Sequence, residues 1–264
     1  MRRPTHRTVV IAALLLSTLG LLAVAPASAE RSGRDGVIVS LGGEIHPDRL
    51  PRDGVAPVSL TLRGTIATDH GGELPQLDRI EVAFGARGGL DTAGLSVCPL
   101  ARLRNATQIQ ALTRCRGALV GRGTIDAEIP LNPEEPLEAH AGVLAFNGRS
   151  HGRPAVWVHA YSAAPPVSFV LPFYVRRVDD GAYGMLLRAP VADALGPWPR
   201  LRSFRIELGR RYLAHGVRHS YLSAGCPLPP RFHVFSFPLA RATYTFAPRP
   251  TLTTTHLSRC RVSE

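Results

Sequence analysis

The chain contains no lysine; all 31 of its basic residues are arginine. That absence excludes the phosphate-binding loop that ends in Gly-Lys-Ser/Thr, and with it Schiff-base catalysis and Ser-Lys dyads. There is no Gly-x-Ser-x-Gly turn to strain a serine nucleophile, and no Cys-x-x-Cys. No histidine stands at ligand spacing from a cysteine, so no metal site and no cofactor are expected. Internal repeats, low-complexity tracts and a second long apolar run are also missing. An arginine-only chain with 25 Gly and 23 Pro fits a high-GC genome, in which lysine codons are scarce. The charge is therefore weak evidence for a nucleic-acid partner, and none is expected. The arginines are spread out, with only Arg176-Arg177 and Arg210-Arg211 paired beyond the N-terminal segment, and aromatics do not interleave them.

The N-terminus is the most legible part. Arg2, Arg3 and Arg7 precede a largely apolar run of 17 residues from Val9 to Ala25, and Ala27-Ser28-Ala29 supplies small residues for cleavage. Residues 1–29 read as a signal peptide, with the mature chain starting at Glu30. An uncleaved anchor and a twin-arginine route through Arg2-Arg3 are the alternatives. No cysteine near the run can take a lipid, and the C-terminus is short and polar. A secreted protein with no transmembrane segment in the mature chain is expected, loosely held at the envelope or released. Removing residues 1–29 takes three of the 31 arginines and none of the 20 acids, leaving a net charge of about +8. Anionic envelope components are thus candidate partners.

Four cysteines in an exported chain read as two disulfides, with three possible connectivities. Local pairing is preferred: Cys98–Cys115 and Cys226–Cys260.

Residues 30–36 read as a flexible polar lead-in, and 37–264 as one β-rich domain, with two subdomains dividing near 130–136 as the alternative. Strands are expected where apolar and polar residues alternate, as in Val58–Leu62 and Ile80–Phe84. A hairpin is expected over Phe169–Arg188, reversing at Asp179-Asp180-Gly181. A second reversal is expected between Asn147-Gly148 and His151-Gly152, and later strands at Leu201–Leu208, Val217–Ser223, Phe232–Phe237 and Ala240–Phe246. Dense prolines argue against long helices. One short amphipathic helix is predicted over 99–113, bracketed by Cys98 and Cys115. The fold class is mainly β: an antiparallel β-sandwich or jelly roll carrying that helix.

Strand alternation places Trp157, His159 and Tyr161 on one face, a candidate ligand platform or an ordinary core layer. His215 and His219 are four apart, but Gly216 between them makes a turn more natural than a metal-binding helix. Ser220, Ser223 and Ser236 fall in strands, and Asp126, Glu128 and Glu207 read as solvent-facing. No residue is singled out as catalytic.

Several stretches together resemble an uncharacterised family of secreted β-rich proteins of high-GC Gram-positive bacteria. They are Leu95–Cys98, the Cys-x-x-Ala-Leu-Val-Gly-x-Gly pattern within Ala111–Gly123, Leu144–Gly148, Tyr183-Gly184 and Ser220–Pro227. The resemblance implies export and one domain, and brings no activity with it. The preferred expectation is a non-catalytic extracytoplasmic binding or structural protein of the cell envelope. A secreted hydrolase with a dispersed carboxylate/His site is the alternative. A lipid carrier is the third, and it requires an apolar cavity between sheet and helix.

Overall fold

A computed structural model describes residues 29–130, 136–196, 199–226, 228–229, 231–248 and 251–263. Residues 1–28 of the expected signal peptide, and 131–135 of the alternative subdomain boundary, lie outside the described residues.

The described residues open with β1 (Glu30–Arg34), β2 (Val37–His46), β3 (Arg49–Leu50), β4 (Ala56–Pro57), β5 (Ser59–Thr68), β6 (Gln76–Gly85) and β7 (Gly88–Leu90). A 3-10 turn (Leu100–Arg102) and α1 (Gln108–Cys115) follow. Next come β8 (Leu119–Ile129), β9 (Leu137–Ser150), β10 (Arg153–Ala163), β11 (Pro166–Asp180), β12 (Tyr183–Pro190) and α2 (Val191–Leu195). The last strands are β13 (Arg200–Leu208), β14 (Arg211–Ala214), β15 (Val217–Ser220), β16 (Leu222–Ala224), β17 (Val234–Ala247) and β18 (Thr251–Val262). Thirteen of them form one sheet in the order β1-β2-β5-β13-β8-β9-β10-β11-β12-β6-β17-β18-β3. Its pairings are antiparallel except for β18 with β3. Two small sheets, β14-β15 and β4-β16-β7, sit beside it.

The fold is mainly β and sandwich-like, because the long sheet curls until β17 and β18 return against β1 and β2. Side chains make that junction. The Tyr244 hydroxyl donates to the Ser40 carbonyl at 3.3 Å, Thr254 to the Glu30 carbonyl at 3.1 Å, and His256 Nε2 to the Gly43 carbonyl at 2.8 Å. The alternation seen in the sequence sets which face turns inward. On β5, Leu60, Leu62 and Ile66 are buried, while Thr61, Arg63 and Thr65 face out. Charged pairs lie across the outer face, including Arg63–Glu44 at 2.8 Å and Arg202–Glu138 at 2.7 Å. Such half-exposed pairs contribute under about 1 kcal/mol each.

Several expectations change. Within the lead-in 30–36, Glu30–Arg34 form a strand that pairs with Val37–Leu41 at the sheet edge. Main-chain bonds suffice for that pairing, so the polar side chains gave no sign of it. The two strands expected at Phe232–Phe237 and Ala240–Phe246 are one: β17 starts at Val234, past Phe232 and His233, and runs through both with a register shift between Pro238 and Ala240. Val217–Ser223 divides between β15 and β16, which lie in different sheets. The β9–β10 reversal falls at His151-Gly152, where both residues have positive φ (48° and 76°). Asn147-Gly148 is inside β9. Gly148 is required there because a Cβ would lie 2.1 Å from Trp157 Nε1.

The predicted helix over 99–113 is split. Asn105 adopts positive φ (53°) and ends the first turn, and Thr107 starts α1 afresh. Thr107 Oγ1 accepts from the Gln110 amide at 3.3 Å, and Gln110 Oε1 accepts from the Thr107 amide at 3.0 Å. These reciprocal bonds satisfy two otherwise free helix-end donors. Both disulfides, Cys98–Cys115 and Cys226–Cys260, are formed, with Cα separations of 5.4 and 5.8 Å. The first clips the α1 segment onto the outer face of β9 and β10. There Leu103, Ala106 and Ala111 pack on Leu144, Phe146 and Trp157 as a second, smaller core.

Candidate functional site

That second core occupies the face proposed for ligand contact. Trp157 is buried, its Nε1 donating to the Cys98 carbonyl at 2.9 Å and its ring meeting Tyr174 edge-on at 6.4 Å. His159 is wholly buried, and Tyr161 is half-buried. The three share a face as expected, but the chain's own α1 segment covers Trp157 and His159, so they do not form an open ligand platform. The Cys98–Cys115 disulfide holds this segment beside β9 and β10.

His159 Nε2 lies 2.9 Å from the Ala106 carbonyl, so that nitrogen carries the proton. The Ser168 hydroxyl is 3.3 Å from the same nitrogen. The pair lacks a nucleophile–base geometry, because the lone pair is on Nδ1, which is buried without a partner. Burial holds the His159 pKa below its usual value, and the bond to Ala106 opposes the shift in part.

Two hydrogen-bonded Asp–His pairs lie elsewhere among the described residues. Asp126 accepts from Ser203 at 2.5 Å, and His140 Nδ1 lies 2.8 Å from its other oxygen. Ser203 chiefly, then His140, keeps this carboxyl below the ordinary range. The aspartate is central, so serine and histidine do not address each other. His219 Nδ1 sits 2.8 Å from Asp91 and stacks on Tyr212, with ring centroids 5.3 Å apart. Burial pushes the Asp91 carboxyl up, but the Ala93 amide and His219 carry it below normal. His215 sits in the tight turn before β15, apart from any metal-like cluster. Among the described residues, no group of three His, Cys, Asp or Glu is placed to hold a metal.

The candidate site lies inside the curl. A cavity of about 110 Å³ is lined by apolar side chains from nine strands and from α2; the one polar lining residue, Thr124, is exposed on the outer face. A second, mainly apolar chamber of about 50 Å³, with Arg87, Tyr221 and Ser223 also on its walls, shares Phe84, Val156, Leu187 and Leu208 with the first. On two neighbouring strands the lining passes from one chamber to the next: Leu41 then Ile45 on β2, Leu62 then Leu60 on β5. The void is therefore elongated, with α2 at one end and β16 at the other.

The α2 end has a lateral slot. β12 stops at Pro190, opposite Arg79 of β6, and its ladder with β11 runs only from Tyr174 to Asp180. The first half of β11 therefore has no strand on that side, and α2 fills the gap between β11 and β6. Val191 and Leu195, one helical turn apart, point into the cavity. Pro190, Asp193 and Ala194 line an external groove of about 460 Å³ over β11, with Arg104 and Tyr174 also on its walls. Phe169 lines both spaces. The sequence reading missed α2. Its signal was the Val191, Ala194, Leu195 spacing ended by Gly196, which has φ 72°.

Among the described residues, no helix is long and apolar enough to cross a membrane. No protein family, curated protein or solved structure matches this chain.

Proposed function

We propose that the chain is an exported, non-catalytic binding protein that holds a small apolar ligand inside its curled sheet. One observation carries the reading: an almost entirely apolar void of about 110 Å³ behind a five-residue helix that no strand ladder fastens. Packed interiors leave few voids larger than a water molecule. Empty apolar space of about 110 Å³ costs roughly 2–3 kcal/mol at about 24 cal/mol per Å³. A ligand that fills it recovers that cost. A cavity of roughly 150 Å³ lined by Leu, Ile and Phe stays dry and accepts benzene, which sets the scale of a fitting group.

Export is supported by the arginine-led apolar run, by the small residues at Ala27-Ser28-Ala29, and by two disulfides of the kind that persist in oxidising compartments. The positive charge favours residence near anionic envelope components. The cavity beneath α2 also supports the carrier version of the reading, since release would require only this short element to move. The hydrolase reading draws less support, because neither Asp–His pair presents its histidine to a serine.

Hexanol tests the proposal. Calorimetry is expected to show saturable 1:1 binding, and thermal unfolding a rise in Tm with hexanol concentration. Val158→Phe, which fills the cavity from β10, is expected to abolish both effects in a protein that still folds. Val143→Phe fills the same space from β9 should Val158→Phe not fold. Absence of saturable hexanol binding to the folded wild type overturns the reading.

A further inference from the structure

We propose that the ligand is a single-chain amphiphile with a zwitterionic head, its tail in the interior and its head in the groove outside α2. This rests on the cavity reading above and adds the chemistry of the head.

Three observations carry it. Two chambers share the walls Phe84, Val156, Leu187 and Leu208 and follow one another along β2 and β5, an arrangement that suits one linear chain. The groove begins on the other face of α2: one helical turn presents Val191 and Leu195 inward and Asp193 and Ala194 outward, and Phe169 borders both spaces. A chain entering the slot between β11 and β6 would leave its polar end in that groove.

The groove itself carries two opposite charges. Arg104 stands on the wall formed by the disulfide-clipped segment, and Asp193 on the α2 wall. Neither makes an ion pair or side-chain hydrogen bond among the described residues. Two unpaired opposite charges facing one space match a head that bears both signs. Arg104 meets a phosphate through its planar fork of donors. Asp193 meets an ammonium, and the exposed Tyr174 ring (41 %) offers a π face for it. At about 460 Å³, the groove is far larger than a carboxylate needs and has room for a phosphate joined to an ammonium.

The test compares four six-carbon probes by calorimetry on the full exported chain: hexanol, hexyl phosphate, hexylamine and hexylphosphocholine. Hexylphosphocholine is expected to bind about tenfold tighter than hexanol, the gain of roughly one charge-assisted contact. Arg104→Ala and Asp193→Ala are each expected to remove most of that gain and leave hexanol binding unchanged. Because hexanol reports the cavity alone, it also shows that each variant is folded. Equal affinity for hexanol and hexylphosphocholine overturns the head-group site while the cavity reading stands. Hexyl phosphate binding as tightly as hexylphosphocholine overturns the role of Asp193 and Tyr174 and makes the head a simple anion. No binding by any probe, hexanol included, overturns the cavity reading and this inference with it.

Discussion

His159 shows how one residue's environment decides its chemistry. Its ring is buried, one nitrogen is fixed by the Ala106 carbonyl and the other is left without a partner. Burial lowers its pKa from 6.5, so the unfolded chain takes up a proton at a higher pH than the folded one. The resulting stability is fully present above about pH 6.5 and is lost as pH falls through that value toward the lowered folded pKa. Urea midpoints at pH 8 and pH 5 are expected to fall further for the wild type than for His159→Gln. Equal declines would show that the folded ring takes up its proton as readily as the unfolded one. The sequence placed His159 on one face with Trp157 and Tyr161, because strand alternation is local. It could not show that the face is covered, since the covering residues, Leu103 and Ala106, are about fifty positions away. Gly148 carries the same lesson: beside Asn147 it reads as a turn, yet it is small because the Trp157 indole lies on it.

At the scale of elements, strands were legible and helices less so. Strands β5, β6, β11, β12 and β13 sit where alternation put them. The α1 segment was recognised through the spacing of its apolar residues between two cysteines, but its break came from the backbone of Asn105, for which periodicity has no signal. The disulfide holding this segment closes a 17-residue separation. Replacing both cysteines, Cys98→Ala with Cys115→Ala, is expected to cost about 3 kcal/mol in urea denaturation. A cost near zero would mean that packing of Leu103 and Ala111 alone holds the segment. α2 was missed because five residues carry too little pattern, and because its position depends on where β12 ends.

For the whole molecule, the decisive feature is closure of the curl. β17 and β18 return to β1 and β2, a junction carried by side-chain-to-carbonyl bonds from Tyr244, Thr254 and His256. Tyr244 is wholly buried, and Tyr244→Phe removes one bond with little change of shape. The expected loss is about 1 kcal/mol, read from the urea midpoint. Stability equal to wild type would show that the hydroxyl contributes nothing to closure. The interior void is a property of this closed form, because its walls come from strands throughout the chain.

The sequence by itself determined the arginine-led apolar N-terminus, the mainly β class and the inward face of most strands, and it favoured local pairing of the cysteines. Each follows from composition or from neighbours a few residues apart. Only the tertiary structure decided that residues 30–34 join the sheet, that Trp157 and His159 are covered, and that a cavity lies behind α2. Those features depend on backbone pairing, on packing between distant segments, and on where one strand stops short of its neighbour. Periodicity along the chain encodes none of the three.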